Sequence, residues 1–301
     1  MSKRVPERLR RIVYNPLIVK DGLSRMRSWR APAVIALYLG LLGLFGFLIL
    51  APQLTTPRRG LALAQIGSTV FTALALIQLA LVCLFAPGVA AAAISGERER
   101  QTLDVLMVSC VTPLRLVWGK LVASVAFILL LIVASLPLFA TVFLFGGIDL
   151  EQFLVAQVLT VTTALALGAT SIFWSALCRR TLLSTVAAYG FAFAMTFGTF
   201  VLGTLLMQLS YAQSQPLARA GPPPPPHPLL LFNPFMAMVS LLQPAATPMF
   251  PRAMLIQPWQ ATVSSELALV MLSIFGAVML MRGRRPLTLV WPAVLRRGTS
   301  A

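Results

Sequence analysis

The chain has 301 residues, 58% of them hydrophobic and 11% charged, with a mean hydropathy of +0.86. Those proportions exclude a soluble globular domain and fit a polytopic membrane protein. The net charge of +16 raises nucleic acid as a partner, so the placement of the basic residues has to decide.

Residues 1 to 13 are basic and expected at a lipid surface. From Tyr14 to Arg30 the pattern turns helical: at about 100° per residue Ile18, Val19, Leu23, Met26 and Trp29 share one arc, and Lys20, Asp21, Ser24, Arg25 and Arg27 take most of the other. Leu17 and Arg30 depart from it. A basic amphipathic helix placed just before a first span lies in the headgroup layer, or serves as a plain juxtamembrane anchor.

Six spans are predicted, at 32 to 50, 66 to 95, 117 to 146, 151 to 177, 182 to 209 and 263 to 281. Gly60 to Gly96 carries no charge, and neither does Leu121 to Ile148. Wholly helical, the first of these runs is roughly 55 Å long at ~1.5 Å per residue, against a hydrocarbon core of about 30 Å, so part of it projects from the bilayer. Pro87 is expected to kink or break that helix, and Pro137 to do the same in the third span, because proline removes a helix hydrogen bond. Ala164 and Gly168 form a small-xxx-small pair on the fourth span.

Residues 210 to 262 form the one long outer connection. Gly221 followed by Pro222 to Pro226 predicts an extended polyproline spacer. Leu229 to Leu242, LLLFNPFMAMVSLL, is too short to span and too apolar for an ordinary loop, which predicts a re-entrant or interfacial segment.

With six spans both termini share one side. That side holds nine Lys and Arg in residues 1 to 30, four in 96 to 120, Arg179 and Arg180, and five in 282 to 301; the other side holds Arg58, Arg59, Arg219 and Arg252. The positive-inside rule then places both termini, the 96 to 120 loop and the Arg179-Arg180 turn in the cytoplasm of a cell (plasma or bacterial inner) membrane. The basic excess is topology and lipid contact, not a nucleic-acid surface. The first apolar segment starts at Ala31 after nine basic residues and is long enough to span, so a retained signal anchor is expected. Cys83, Cys110 and Cys178 fall where no oxidising compartment pairs them.

Between the two charge-free runs lies SGERERQTLDVLMVSCVTPLRLVWGK, residues 95 to 120. A carboxylate or guanidinium in the hydrocarbon costs about 2.5 to 3.5 kcal/mol on insertion scales, so Glu97, Arg98, Glu99, Arg100 and Asp104 belong in water or against another protein. Glu97 and Arg100 are three apart and Arg100 and Asp104 four apart, a spacing that pairs charges along one helical face, while Leu103, Leu106 and Met107 form an apolar ridge. Surface pairs are worth only ~0.3 to 0.5 kcal/mol, so partner recognition is the stronger role for them. The alternating charges, Gln101-Thr102-Leu103-Asp104, the hydrophobic triplet, the small-residue and proline turn and Gly119-Lys120 together resemble the permease subunits of ABC-2 type ABC transporters. The Asn233-Pro234-Phe235 core and the 14 to 30 helix are similar to that family too. One departure is Cys110, standing where the family often has proline.

The resemblance implies that 95 to 120 holds a coupling helix meeting a separate ABC ATPase subunit through Glu97, Arg98, Glu99, Arg100, Thr102, Leu103 and Asp104. It implies an elbow helix at 14 to 30, and short re-entrant helices capping the outer mouth. It further implies a second permease subunit, identical or related, ATP and magnesium on the partner ATPase, and export.

The chain itself has no G-x-x-x-x-G-K-[ST], no G-x-S-x-G, no H-E-x-x-H and a single histidine, His227. No enzymatic activity, metal site or cofactor is expected on it. Glu266 is the ionisable residue plausibly inside a span, about one turn from the outer end of the sixth; it lines a pathway or, as the simpler reading, sits at headgroup level. Gln78, Thr160, Thr162, Thr163 and Thr199 line a route or bond neighbouring helices.

The expected architecture is all-α: a basic N-terminus with the elbow helix (1 to 30), a six-span permease domain (31 to 281) with its coupling segment at 96 to 115 and outer loop at 210 to 262, and a basic cytoplasmic tail (282 to 301). Rival readings are an ion-driven secondary transporter and an ATPase-linked membrane scaffold that transmits force without transport.

Overall fold

The computed structural model describes residues 29–55, 63–101, 113–214, 227–243 and 257–282. The helices are α1 (Arg30–Thr55), α2 (Leu63–Ala90), α3 (Ser95–Glu99), α4 (Pro113–Phe143), α5 (Leu150–Leu177), α6 (Thr181–Phe193), a π-helical turn (Ala194–Gly198) continuing into α7 (Thr199–Ser214), then α8 (Pro228–Leu231), α9 (Pro234–Leu242) and α10 (Pro258–Arg282). Six stretches are long and apolar enough to cross a membrane: α1, α2 with α3, α4, α5, α6 through α7, and α10. The predicted all-helical, six-span architecture is therefore what the chain adopts. Pro113, Pro228, Pro234 and Pro258 each open a helix, where a missing N–H costs nothing. The elbow segment 14 to 28, the polyproline run and the C-terminal tail lie outside the described residues.

The spans are unequal in burial. In α2 and α5 56% of the apolar window is buried, and in α4 50%, against 11% for α1, 17% for the fifth span and 22% for α10. The bundle is thus built around α2, α4 and α5, with the other three spans presenting wide apolar faces outward. α5 touches α2, α4, α6, α9 and α10. At one end Phe71 and Phe139 pack edge to face at 5.4 Å and Phe143 against Phe153 at 5.3 Å, locking the start of α2, the end of α4 and the start of α5 together. There the α4–α5 turn needs Gly146 and Gly147, at φ +74° and +83°; a side chain on Gly147 would strike the backbone of Ala64. At the other end Ile94, Leu116, Val117, Ile172 and Met281 form a separate buried cluster.

The expectation for the two span prolines divides. α4 runs unbroken through Pro137, whereas the second span leaves the α-helix at Ala90, just past Pro87, turns over 91 to 94 and resumes as α3. Gly168 lies against Leu121 and Val125, so the small residue on α5 does allow α4 to pack close.

Candidate functional site: a braced charged segment and a buried polar seam

The break at 91 to 94 is held by two serines from other spans. Ser184 Oγ donates to the Ala91 carbonyl at 2.7 Å, and Ser175 Oγ accepts from the backbone N–H groups of Ile94 and Ser95 at 3.0 and 2.9 Å. Ser175 and Ser184 are both fully buried. Interrupting a helix strands backbone donors and acceptors, and these serines satisfy the Ala91 carbonyl and the N–H groups of Ile94 and Ser95.

α3 then sets three consecutive charges against three different helices. Lys120 Nζ of α4 donates to Glu97 Oε1 at 3.0 Å, with the two side chains 8% and 27% exposed. Arg98 Nη1 donates to the Cys178 carbonyl at 2.8 Å and Nη2 to the Ala176 carbonyl at 3.4 Å, at the C-terminus of α5. Glu99 accepts from the Thr181 backbone N–H at Oε1 and from the Thr181 hydroxyl at Oε2, both at 2.8 Å, at the N-terminus of α6. These two bonds, the backbone one foremost, hold the Glu99 carboxyl below its ordinary range. α3 ends at once: Gln101 is left-handed at φ +57°.

Among the described residues Glu97 forms an ion pair with Lys120, a partner its i, i+3 spacing to Arg100 does not suggest. The expected pairing of Arg100 with Asp104 falls on a residue outside the described ones. A short helix bent back onto its own bundle finds partners across space that i, i+3 spacing does not reveal. Arg100 and Gln101 are exposed beyond it, and Thr102, Leu103 and Asp104 lie outside the described residues. Sequence reading missed Ser175, Thr181 and Ser184. Their only signal is a small polar residue near a span end, which in membrane helices usually bonds its own backbone.

The second polar region lies between the helices of the bundle. The sixth span begins at Pro258, earlier than expected, so Glu266 lies eight residues in, roughly 12 Å at 1.5 Å per residue. Glu266 is 5% exposed and its Oε1 accepts from the Thr163 hydroxyl of α5 at 2.7 Å, while Oε2 has no hydrogen-bond partner. Nearer the start of α10, Thr262 donates to the Leu231 carbonyl at 2.6 Å, tying α10 to α8. Asn233, fully buried, accepts from the N–H groups of Phe235 and Met236 as the cap of α9, and donates to the Thr196 carbonyl at 2.6 Å and the Thr199 hydroxyl at 2.8 Å. On the far side of α5, Gln78 and Gln157 exchange reciprocal amide bonds at 3.2 and 3.3 Å, and Gln78 also donates to Ser135. Of the polar residues expected to line a route or bond helices, Gln78, Thr163 and Thr199 bridge helices; Thr160 and Thr162 donate to carbonyls of their own helix.

A family model described as "ABC-2 family transporter protein" matches residues 17–283. No curated protein matches the chain.

Proposed function

Because the chain belongs to the ABC-2 family of transporter proteins, we propose that it is the membrane-spanning subunit of an ATP-driven exporter. It forms half of a pathway with a second permease subunit, and a separate ATPase binding ATP and magnesium docks on its cytoplasmic face. The observation that carries the docking assignment is the charged segment that leaves the membrane at the end of α2 and is held against α4, α5 and α6 while Arg100 and Gln101 point to solvent. Of the seven residues expected at the ATPase, Glu97, Arg98 and Glu99 are assigned here to holding the segment, and Arg100, Thr102, Leu103 and Asp104 to meeting the partner. The positive-inside count supports cytoplasmic termini, and α8 and α9 suit a re-entrant cap on the outer mouth.

The test is purification from the native membrane in mild detergent, with identification of co-purifying chains and an ATPase assay, beside an Arg100→Glu, Asp104→Lys variant. An ATPase chain that accompanies the parent and is lost from the variant is the expected result. Absence of any ATPase chain, under conditions that preserve a known complex of this type, overturns the reading. The burial of Glu266 favours one rival, an ion-driven transporter; uptake or efflux that survives ATP depletion and collapses with an ionophore would mark it.

A further inference from the structure

The turn between α5 and α6 contains Arg179 and Arg180 but no acidic residue. α5 has no basic residue in its last turn, and α6 has no acidic residue in its first turn and no side-chain cap from Arg180. A helix C-terminus favours a cation and an N-terminus an anion or a capping oxygen. Hydrogen bonds to both ends come from outside the turn, from adjacent residues of one short helix: Arg98 to the carbonyls of Ala176 and Cys178, and Glu99 to the amide and hydroxyl of Thr181. Ser184, one turn further into α6, binds the Ala91 carbonyl on the same segment.

We propose that Arg98 and Glu99 are positioning residues that make the α5–α6 turn travel with the cytoplasmic segment, so that a push on 100 to 104 is delivered to α5 and α6 directly. The inference rests on the reading of that segment as the ATPase contact. The two helices it addresses lead to two of the buried polar contacts of the bundle: α5 carries Thr163 toward Glu266 on α10, and α6 passes through the π-helical turn to the Thr196 carbonyl held by Asn233. α5 and α6 are each continuous between those points, so displacement of their shared cytoplasmic end moves them as units. Fastening the turn from both sides is what prevents the segment from sliding over it.

Cys178 reports on this contact, since its carbonyl accepts from Arg98 and its side chain is partly exposed. In inside-out vesicles carrying the full chain with Cys83→Ser and Cys110→Ser, together with its ATPase subunit, labelling of Cys178 by an impermeant maleimide is followed with and without ATP. Arg98→Ala and Glu99→Ala are expected to raise the ATP-free labelling rate about fivefold, the effect of losing one cap on a local opening equilibrium. They are also expected to abolish its response to ATP while the ATPase still co-purifies. Thr181→Val added to Glu99→Ala should add nothing further, and Thr181→Val alone, a milder change, should raise labelling if Glu99→Ala lowers the yield of folded protein. Labelling and ATP response equal to the parent in Arg98→Ala and Glu99→Ala overturn the inference. If no ATPase accompanies the parent, the docking reading fails, and ATP-free labelling alone decides the fastening: raised in the variants it stands as a structural clamp, unchanged it falls.

Discussion

The side-chain amide of Asn233 lies 2.6 Å from the carbonyl oxygen of Thr196, in the π-helical turn of the fifth span. A π turn widens the helix and leaves a carbonyl poorly matched to its own ladder, and here that carbonyl is taken by the residue that also caps α9. One side chain therefore joins the short-helix pair α8 and α9 to the fifth span. Asn followed by Pro suits the role: the side-chain oxygen caps, and the proline at the first helical position has no N–H to satisfy.

Replacing Asn233 by Ala removes both functions, and the expected loss is about 2 to 3 kcal/mol, a cap plus a buried carbonyl left without its donor. Asn233→Ser keeps a capping oxygen and should recover roughly half of that loss. Thermal unfolding midpoints in detergent check the order parent, Ser, Ala; equal midpoints for Ser and Ala would show that the cap contributes nothing.

For Glu97 and Lys120 the direction of truncation matters. The Lys120 side chain is 8% exposed and that of Glu97 27%, so Glu97→Ala, which leaves the deeper charge without this carboxylate, is expected to cost more than Lys120→Ala. The deeper loss should be about 2 to 3 kcal/mol, with part of it recovered in Glu97→Ala, Lys120→Met, where no buried ammonium remains. The comparison is again of unfolding midpoints, and a double variant as unstable as the sum of the singles would contradict it.

Glu99 predicts a pH dependence. Its carboxyl is held below the ordinary value of 4.5 by the Thr181 N–H and hydroxyl, so the folded state favours the ionised form. The contribution is fully present above the unfolded value and disappears as pH falls through the lowered, folded one. The midpoint gap between parent and Glu99→Gln should be flat from about pH 7 down to 5 and narrow below 4.5. A gap that widens on acidification would reverse the sign and remove the charge-assisted cap. The group is exposed, so salt should shrink the gap as well.

Thr163 and Glu266 form a buried hydrogen bond between α5 and α10. Thr163→Val leaves the carboxyl without its donor and is expected to cost about 1 to 3 kcal/mol, whereas Thr163→Val, Glu266→Met replaces both partners with apolar groups and should be nearly neutral. If the double variant is stable but its ATPase no longer responds to cargo, Glu266 belongs to the pathway. If stability and response are both retained, the pair is a fastening between helices.

Much of the architecture was legible in the chain itself. Charge-free runs of more than 20 residues have few outcomes, because unpaired backbone in hydrocarbon is prohibitively costly. The helix starts at Pro113 and Pro258 were not read from it, and the spans were expected to begin later, at 117 and 263. The family was legible in 95 to 120 and in Asn233-Pro234-Phe235, where polar and proline residues interrupt apolar sequence and so carry specific information. Less was legible about which charges meet. Glu97, Arg98 and Glu99 looked outward on sequence because they sit outside the hydrocarbon, and that inference about depth says nothing about direction. The same limit applied to Glu266, whose distance from the start of its helix depended on a start at Pro258 rather than 263.

The sequence by itself determined the class of the molecule, its six spans and the location of its charged segment between the second and third of them, since hydrophobic length and the cost of burying charge act on a linear pattern. Only the tertiary structure decided that Arg98 and Glu99 cap the two ends of a turn about 80 residues away, that Ser175 and Ser184 stabilise the break after Ala90, and that Glu266 faces Thr163. Hydrogen bonds act over about 3 Å in space, and which residues come within that distance is set by how the helices pack rather than by their spacing along the chain.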